Sequence, residues 1–579
     1  MPRRIINALY AIILKLAQSL KRFPESLLLI TATALLLIDA NHQGVVSELM
    51  KDDFPKLPMI LAMGFVLYLC YRMLNELGDL KYRVMKVVIW LTFAGFLVLC
   101  YFLLLSELNT VSIIRYIALV FAFIMAFLFI PYLKRKNGFE MYIIKIVIGF
   151  LVTYLYAGVL FLGIVAMVFT VDQLFTIQIN SKLYFDIWLI AAGVFAPAYF
   201  LGGIPEKDAV LDESNYSKIL KVLFLYIVMP IISAYTLILY AYFAKVLVTQ
   251  TWPQGMVSNL VLWYSFITAA IIFLIRPLTA TNLWAKRFSS IIPIIIIPLM
   301  FMCFWAMGIR IKSYGFTENR YYVFVGALWV VFAMIYWIIK RESWNVVLPV
   351  SLAIIAVLTI VGPQSALSVS LNSQSARLGN ILEKNNMLID GKLVTTNKEI
   401  PKADKEEISS ILRYIDNTHG LKKLSMLPTD FSLSKGKEIL GFEISDYSPY
   451  YNNMYYSYST RNVMPIDISD YNFYVDIRSY DFAGNTTISK DLKVDYNTQS
   501  GIVTLFKQGK KVYEKDIKEF VDSLPKQGSK NIEVDADKLT FVDRQGDIDV
   551  KFQFRSLSIE EGSDGAKKLN NADFCIFIK

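Results

Sequence analysis

Apolar residues come in runs of about twenty from the N-terminus to about residue 363, separated by short polar stretches. A helix of that length crosses ~30 Å of hydrocarbon. The pattern predicts eleven spans, at residues 26–40, 58–74, 87–105, 112–133, 141–170, 183–201, 222–248, 257–275, 289–307, 321–339 and 343–361. The first is short and leans on residues 1–22, where Arg3, Arg4, Lys15, Lys21 and Arg22 alternate with apolar residues as in a basic amphipathic helix. No small-residue cleavage site follows, so the segment is expected to stay as an anchor. Pro197, Pro230, Pro293, Pro298 and Pro349 fall inside spans and predict kinks.

Beyond residue 363 the period changes. Residues 373–388 and 404–417 have helical spacing, the second with Asp404 in a capping position, and Asp390-Gly391 between them is a turn signal. Alternation then predicts strands at 438–445, 472–480, 488–496, 501–507, 531–534, 539–542, 549–556 and 574–579, interrupted by a helix over 513–524. Residues 448–460 (SPYYNNMYYSYST) read as either a tyrosine-rich binding loop or an irregular edge strand. The fold class expected is a multi-pass α-helical membrane protein of about eleven spans (23–363), preceded by the 1–22 segment and followed by a soluble α+β domain (364–579).

Composition agrees. The 579 residues are 55% hydrophobic and only 18% charged, with a mean hydropathy of +0.47. The net charge of +10 sits in the membrane half, which has 29 Lys+Arg against 17 Asp+Glu, while the tail has 29 against 31. No basic face is left for nucleic acid. Alternate loops counted from the N-terminus carry twenty Lys and Arg, and the opposite set six. That bias puts the N-terminus in the cytoplasm and, after eleven spans, the tail outside the membrane. Cys70, Cys100, Cys303 and Cys575 make no disulfide framework.

Candidate chemistry is sparse. There are no hydrolase, zinc-protease or nucleotide-binding signatures. His42 and His419 have no metal-ligand spacing, Asp547-Ile-Asp549 reads as a hairpin start, and Asp186 lies about one turn into its span, with Asp39 at another span's end. No cofactor is expected. One polar stretch breaks the charge pattern: residues 310–322 (RIKSYGFTENRYY) hold three of the six basic residues on the outward side. Arg310, Lys312, Tyr314, Glu318 and Arg320 are therefore the candidate site. They would serve either as an anion site built on arginine forks or as a seat for the soluble domain.

The stretches WPQGM at 252–256, VLWY at 261–264, RIKSYGFTENRY at 310–321, Gly362-Pro363 and SQSARL at 373–378 resemble a bacterial multi-pass membrane family catalogued as domain of unknown function 4153. The resemblance runs from the first spans into the helix pair after Gly362 and carries no assigned activity. It implies a bacterial membrane protein and names no catalytic residue. The functional expectation is a non-catalytic envelope sensor, scaffold or accessory component. Its partners would be membrane lipids and envelope proteins met through residues 364–579. The alternatives are a transporter or flippase for an anionic lipid or small solute, and a membrane transferase acting on a lipid-linked substrate.

Overall fold

A computed structural model describes residues 2–78, 83–135, 137–175, 179–206, 209, 211, 216–249, 256–340, 344–394, 399–444, 453–460, 468–478, 485–498, 500–524, 531–562 and 567–579. Trp252, Pro253, Gln254 and Gly255, the first part of the tyrosine-rich stretch (448–452), and Lys81, Lys136, Lys207 and Arg341 of the charge count lie outside the described residues. The chain divides into two compact units, Met1–Ala376 and Arg377–Lys579.

The first unit is a helical membrane bundle. Among the described residues ten helices are long and apolar enough to cross a bilayer, from Pro24–Asn41 to Glu318–Ile339. The eleventh expected span is a helix of only 12 residues, Val347–Leu358, about 18 Å long. Its start is fixed by a buried polar cluster: Trp337 Nε1 donates to Asn345 Oδ1 at 2.9 Å, and Asn345 Nδ2 donates to Glu140. Other helices overrun their apolar windows; Phe139–Phe175 has 37 residues and Leu283–Tyr314 has 32.

Two of the expected proline kinks take a specific form. A proline clashes with the carbonyl four residues earlier. Pro197 and Pro230 both follow wide π-helical turns, Ala191–Phe195 and Leu223–Val228, that contain those positions and absorb the misfit. Pro293 and Pro298 lie inside the unbroken helix Leu283–Tyr314.

The basic amphipathic segment is a helix, Pro2–Arg22. It crosses the turn at Gly202 so closely that a Cβ there would lie 2.2 Å from the Lys15 carbonyl oxygen. Lys15 Nζ also lies 4.5 Å from the centre of the Tyr199 ring. Along the helix Ile6, Tyr10, Ile13 and Leu20 stay exposed, the apolar stripe of an interfacial helix.

The second unit pairs a helical start with two sheets. Lys402–Thr418 forms as expected, but Asp404 is not its cap. Pro401 holds that position, and Asp404 is buried, accepting from Lys384 Nζ (3.0 Å) and Asn385 Nδ2 (2.8 Å). The Asn385 hydrogen bond and the Lys384 ammonium hold its carboxyl below the ordinary aspartate range despite burial. Asp390-Gly391 makes a tight turn, both residues with positive φ, between two-residue strands.

The larger sheet has the order Phe473–Arg478, Lys567–Ile578, Ile548–Gly562, Asn453–Thr460, Asn531–Val534, with Thr540–Gln545 also paired to Ile548–Gly562. The smaller sheet is a meander of Asn485–Thr487, Leu492–Asn497, Ile502–Lys507 and Lys510–Asp516. The described part of the tyrosine-rich stretch, Asn453–Thr460, is a strand with neighbours on both sides, so the edge-strand expectation fails. Two further expectations are corrected. Residues 438–445 hold a short helix, Gly436–Leu440, not a strand. The helix expected at 513–524 shrinks to Lys518–Ser523, because Gln508-Gly509, at φ 50° and 78°, turns the chain back into the strand Lys510–Asp516. Phe520, Phe541, Phe552, Phe554 and Phe574 stack in the core, with Phe541 and Phe552 at 4.7 Å and 10°.

Candidate functional site

Most of the polar stretch 310–322 is helical. Arg310 and Lys312 are in the last turns of Leu283–Tyr314, Gly315–Thr317 makes the turn, and Glu318 and Arg320 open Glu318–Ile339. Cations at a helix C-terminus and a carboxylate in the first turn of the next complement the two helix dipoles, which accounts for the charge order. Gly315 adopts φ 67°, ψ 178°, a region open essentially to glycine alone.

The charged side chains of this turn are taken up by nearby protein groups. Arg320 is buried, and its Nη1 donates to the carbonyls of Tyr314 (3.0 Å) and Gly315 (2.7 Å), with the guanidinium 5.6 Å from the Tyr314 ring centre. Glu318, also buried, accepts from the Ser370 hydroxyl. Gln374 Nε2 donates to the carbonyls of Tyr314 (2.9 Å) and Phe316 (2.8 Å), and Phe316 N donates to Ser373 Oγ (2.9 Å). Ser370, Ser373 and Gln374 share one face of the helix Ala366–Lys384. Tyr321 adds a 2.6 Å bond to the Gln364 carbonyl. Lys312 is exposed and Arg310 half-buried. The buried Tyr322 hydroxyl lies beside the Thr359 side chain. Of the five candidates, then, Tyr314, Glu318 and Arg320 form one clamp on the helix that leaves the membrane unit, while Arg310 and Lys312 sit at its side.

Two residues that the sequence kept apart come together. His42 Nε2 lies 2.6 Å from Asp186 Oδ2, and Asn41 Nδ2 donates to Asp186 Oδ1 at 2.8 Å and to the Lys182 carbonyl at 2.9 Å. His42 caps Pro24–Asn41 and is half exposed, while the Asp186 side chain is only 11% exposed. Among the described residues no group of three or more His, Cys, Asp or Glu side chains is placed to hold a metal.

At the other end of the spans, counting alternate crossings, a small cleft open to solvent is lined by Arg22, Glu76, Tyr132, Arg135, Tyr142 and Glu206, with Met73, Leu77, Pro131 and Pro205 as apolar wall. Arg22 grips Glu76 through Nε (2.9 Å) and Nη2 (2.8 Å), and reaches the carbonyls of Ile204 (2.7 Å) and Pro205 (3.1 Å). Tyr142 is 2% exposed, and its hydroxyl has no hydrogen-bond partner among the described residues. The six polar residues come from five separate parts of the chain, a dispersal that left the cleft invisible to motif reading.

No curated protein and no solved structure matches the chain. Residues 27–391, more than half of it, match the family described as "Domain of unknown function (DUF4153)", a match that takes in the spans apart from the first three residues of Pro24–Asn41, the 310–322 clamp, and the cleft apart from Arg22. This multi-pass membrane protein belongs to that family.

Proposed function

We propose that the protein is a non-catalytic envelope sensor, scaffold or accessory component acting through an extracytoplasmic domain of residues 364–579. The observation that carries this reading is the clamp. Buried Arg320 and Glu318 are spent on the Tyr314 and Gly315 carbonyls and on Ser370, which suits holding a helix in place better than turning over a substrate. Its partners are envelope proteins and membrane lipids.

Two experiments test it. The four cysteines are buried, so a Ser434→Cys variant in intact cells should react with a membrane-impermeant maleimide; reaction only after lysis would refute the orientation. Photo-crosslinkers at the exposed positions Val542 and Tyr474 should give a discrete protein adduct in cells. If neither position yields one, the scaffold reading fails.

The His42–Asp186 pair favours a second reading, proton-linked transport of an anionic lipid or small solute. Proteoliposomes under a pH gradient would then take up or flip the solute, and His42→Gln would abolish the gradient dependence.

A further inference from the structure

Buried hydroxyls are almost always hydrogen-bonded, and one left without a partner costs free energy until something supplies it. The Tyr142 hydroxyl is such a group, and it belongs to a residue on the wall of a cleft. The remaining polar groups there define what could fill it. A guanidinium has five N–H donors. The four bonds from Arg22 to Glu76, Ile204 and Pro205 leave one Nη1 hydrogen. Arg135 adds a second guanidinium to the lining, and Arg72, outside the lining, lies 3.5 Å from the same Glu76 carboxylate. The lining thus carries two guanidiniums beside the Glu76 carboxylate. Glu206 is also on the lining but exposed, a carboxylate at the rim.

That arrangement selects against simple ions. A bare cation would meet the guanidiniums, and a ligand with negative charge alone would meet Glu206. A zwitterion satisfies both, with its anion on the Tyr142 hydroxyl and the arginines and its cation on Glu206. The apolar wall of Met73, Leu77, Pro131 and Pro205 suits a short methylene link. The cleft also lies at the ends of Lys56–Glu76 and Thr110–Tyr132, the depth at which headgroups sit.

We propose that this cleft binds a phosphate diester bearing an ammonium group, the chemistry of a phosphoethanolamine headgroup. The phosphate oxygens take the Tyr142 hydroxyl and the spare Arg22 N–H, and the ammonium takes Glu206. The proposal is independent of the sensor reading, because it concerns the membrane unit alone.

The test uses the full-length protein in detergent, read by retained lipid in native mass spectrometry and by the thermal unfolding midpoint. The probes are phosphatidylethanolamine, phosphatidylglycerol and soluble glycerophosphoethanolamine. Phosphatidylethanolamine should bind and raise the midpoint, with phosphatidylglycerol about tenfold weaker. Protection by glycerophosphoethanolamine as well would identify the headgroup diester alone as sufficient; protection by the lipid only would assign the source to the bilayer. Tyr142→Phe removes a hydroxyl with no protein partner, so the variant should fold normally and bind about tenfold less tightly. Glu206→Gln, at the rim, should erase the preference for the ammonium-bearing lipid. Equal binding by wild type and Tyr142→Phe, or no preference between the two lipids, would overturn the proposal.

Discussion

At the turn between Leu283–Tyr314 and Glu318–Ile339, a buried arginine and a buried glutamate are held by carbonyls and hydroxyls a few residues away or on one neighbouring helix. In the cleft at the other end of the spans, Arg22 is held just as firmly, yet Tyr142 on the same lining keeps a buried hydroxyl with no hydrogen-bond partner among the described residues. Both regions are polar and arginine-bearing, and sequence composition ranks the first as the more eye-catching. Hydrogen-bond accounting reverses that order. A satisfied polar cluster has used its capacity on the protein itself, whereas an unsatisfied one beside a cavity has capacity left for something else.

Substitutions can break this contrast. The largest effect is expected from Arg320→Ala, which strips two carbonyls of a buried charged donor and should cost about 3 kcal/mol; a thermal unfolding midpoint unchanged from wild type would show that the clamp is not structural. Gly315→Ala comes next, at about 2 kcal/mol. The alanine Cβ would lie 2.9 Å from Gln374 Nε2, the group that staples Tyr314 and Phe316, so limited proteolysis should show the chain around 366–384 cut faster than in wild type. Ser370→Ala should cost about 1 kcal/mol, as one hydrogen bond to Glu318 is lost. The smallest change belongs to the cleft: in lipid-free detergent Tyr142→Phe should match or slightly exceed the wild-type midpoint, because no protein hydrogen bond is lost. A clear loss of stability there would mean that the hydroxyl has a structural partner, and the contrast would collapse.

The spans were legible because a run of twenty apolar residues admits few alternatives, and ten of the eleven expected ones form helices long enough to cross. The eleventh shortened where Asn345 and Glu140 claim a buried polar contact that periodicity does not weigh. The clamp was visible as a concentration of charge but not as helix ends, since charges that cap helix dipoles look like loop residues when read in one dimension. Residues 513–516, the end of the strand Lys510–Asp516, read as helix because Ile517, Phe520, Val521 and Leu524 set a helical stripe just beyond them. The positive-φ turn at Gln508-Gly509 decided otherwise. The His42–Asp186 pair and the cleft join residues more than a hundred positions apart, and one sequence holds no signal for such encounters.

The close crossing of Lys15 over Gly202 has a consequence for how the chain is made. The basic N-terminal helix emerges from the ribosome about 180 residues before the turn it rests on. At ~5–20 residues per second that gap is roughly ten to forty seconds. Throughout that interval the helix has no Gly202 to rest against, and the bilayer surface is the natural place for its exposed apolar stripe. An apolar stripe resting at the bilayer surface would hold the helix there until the turn at Gly202 arrives beneath it and makes it a fixed part of the bundle.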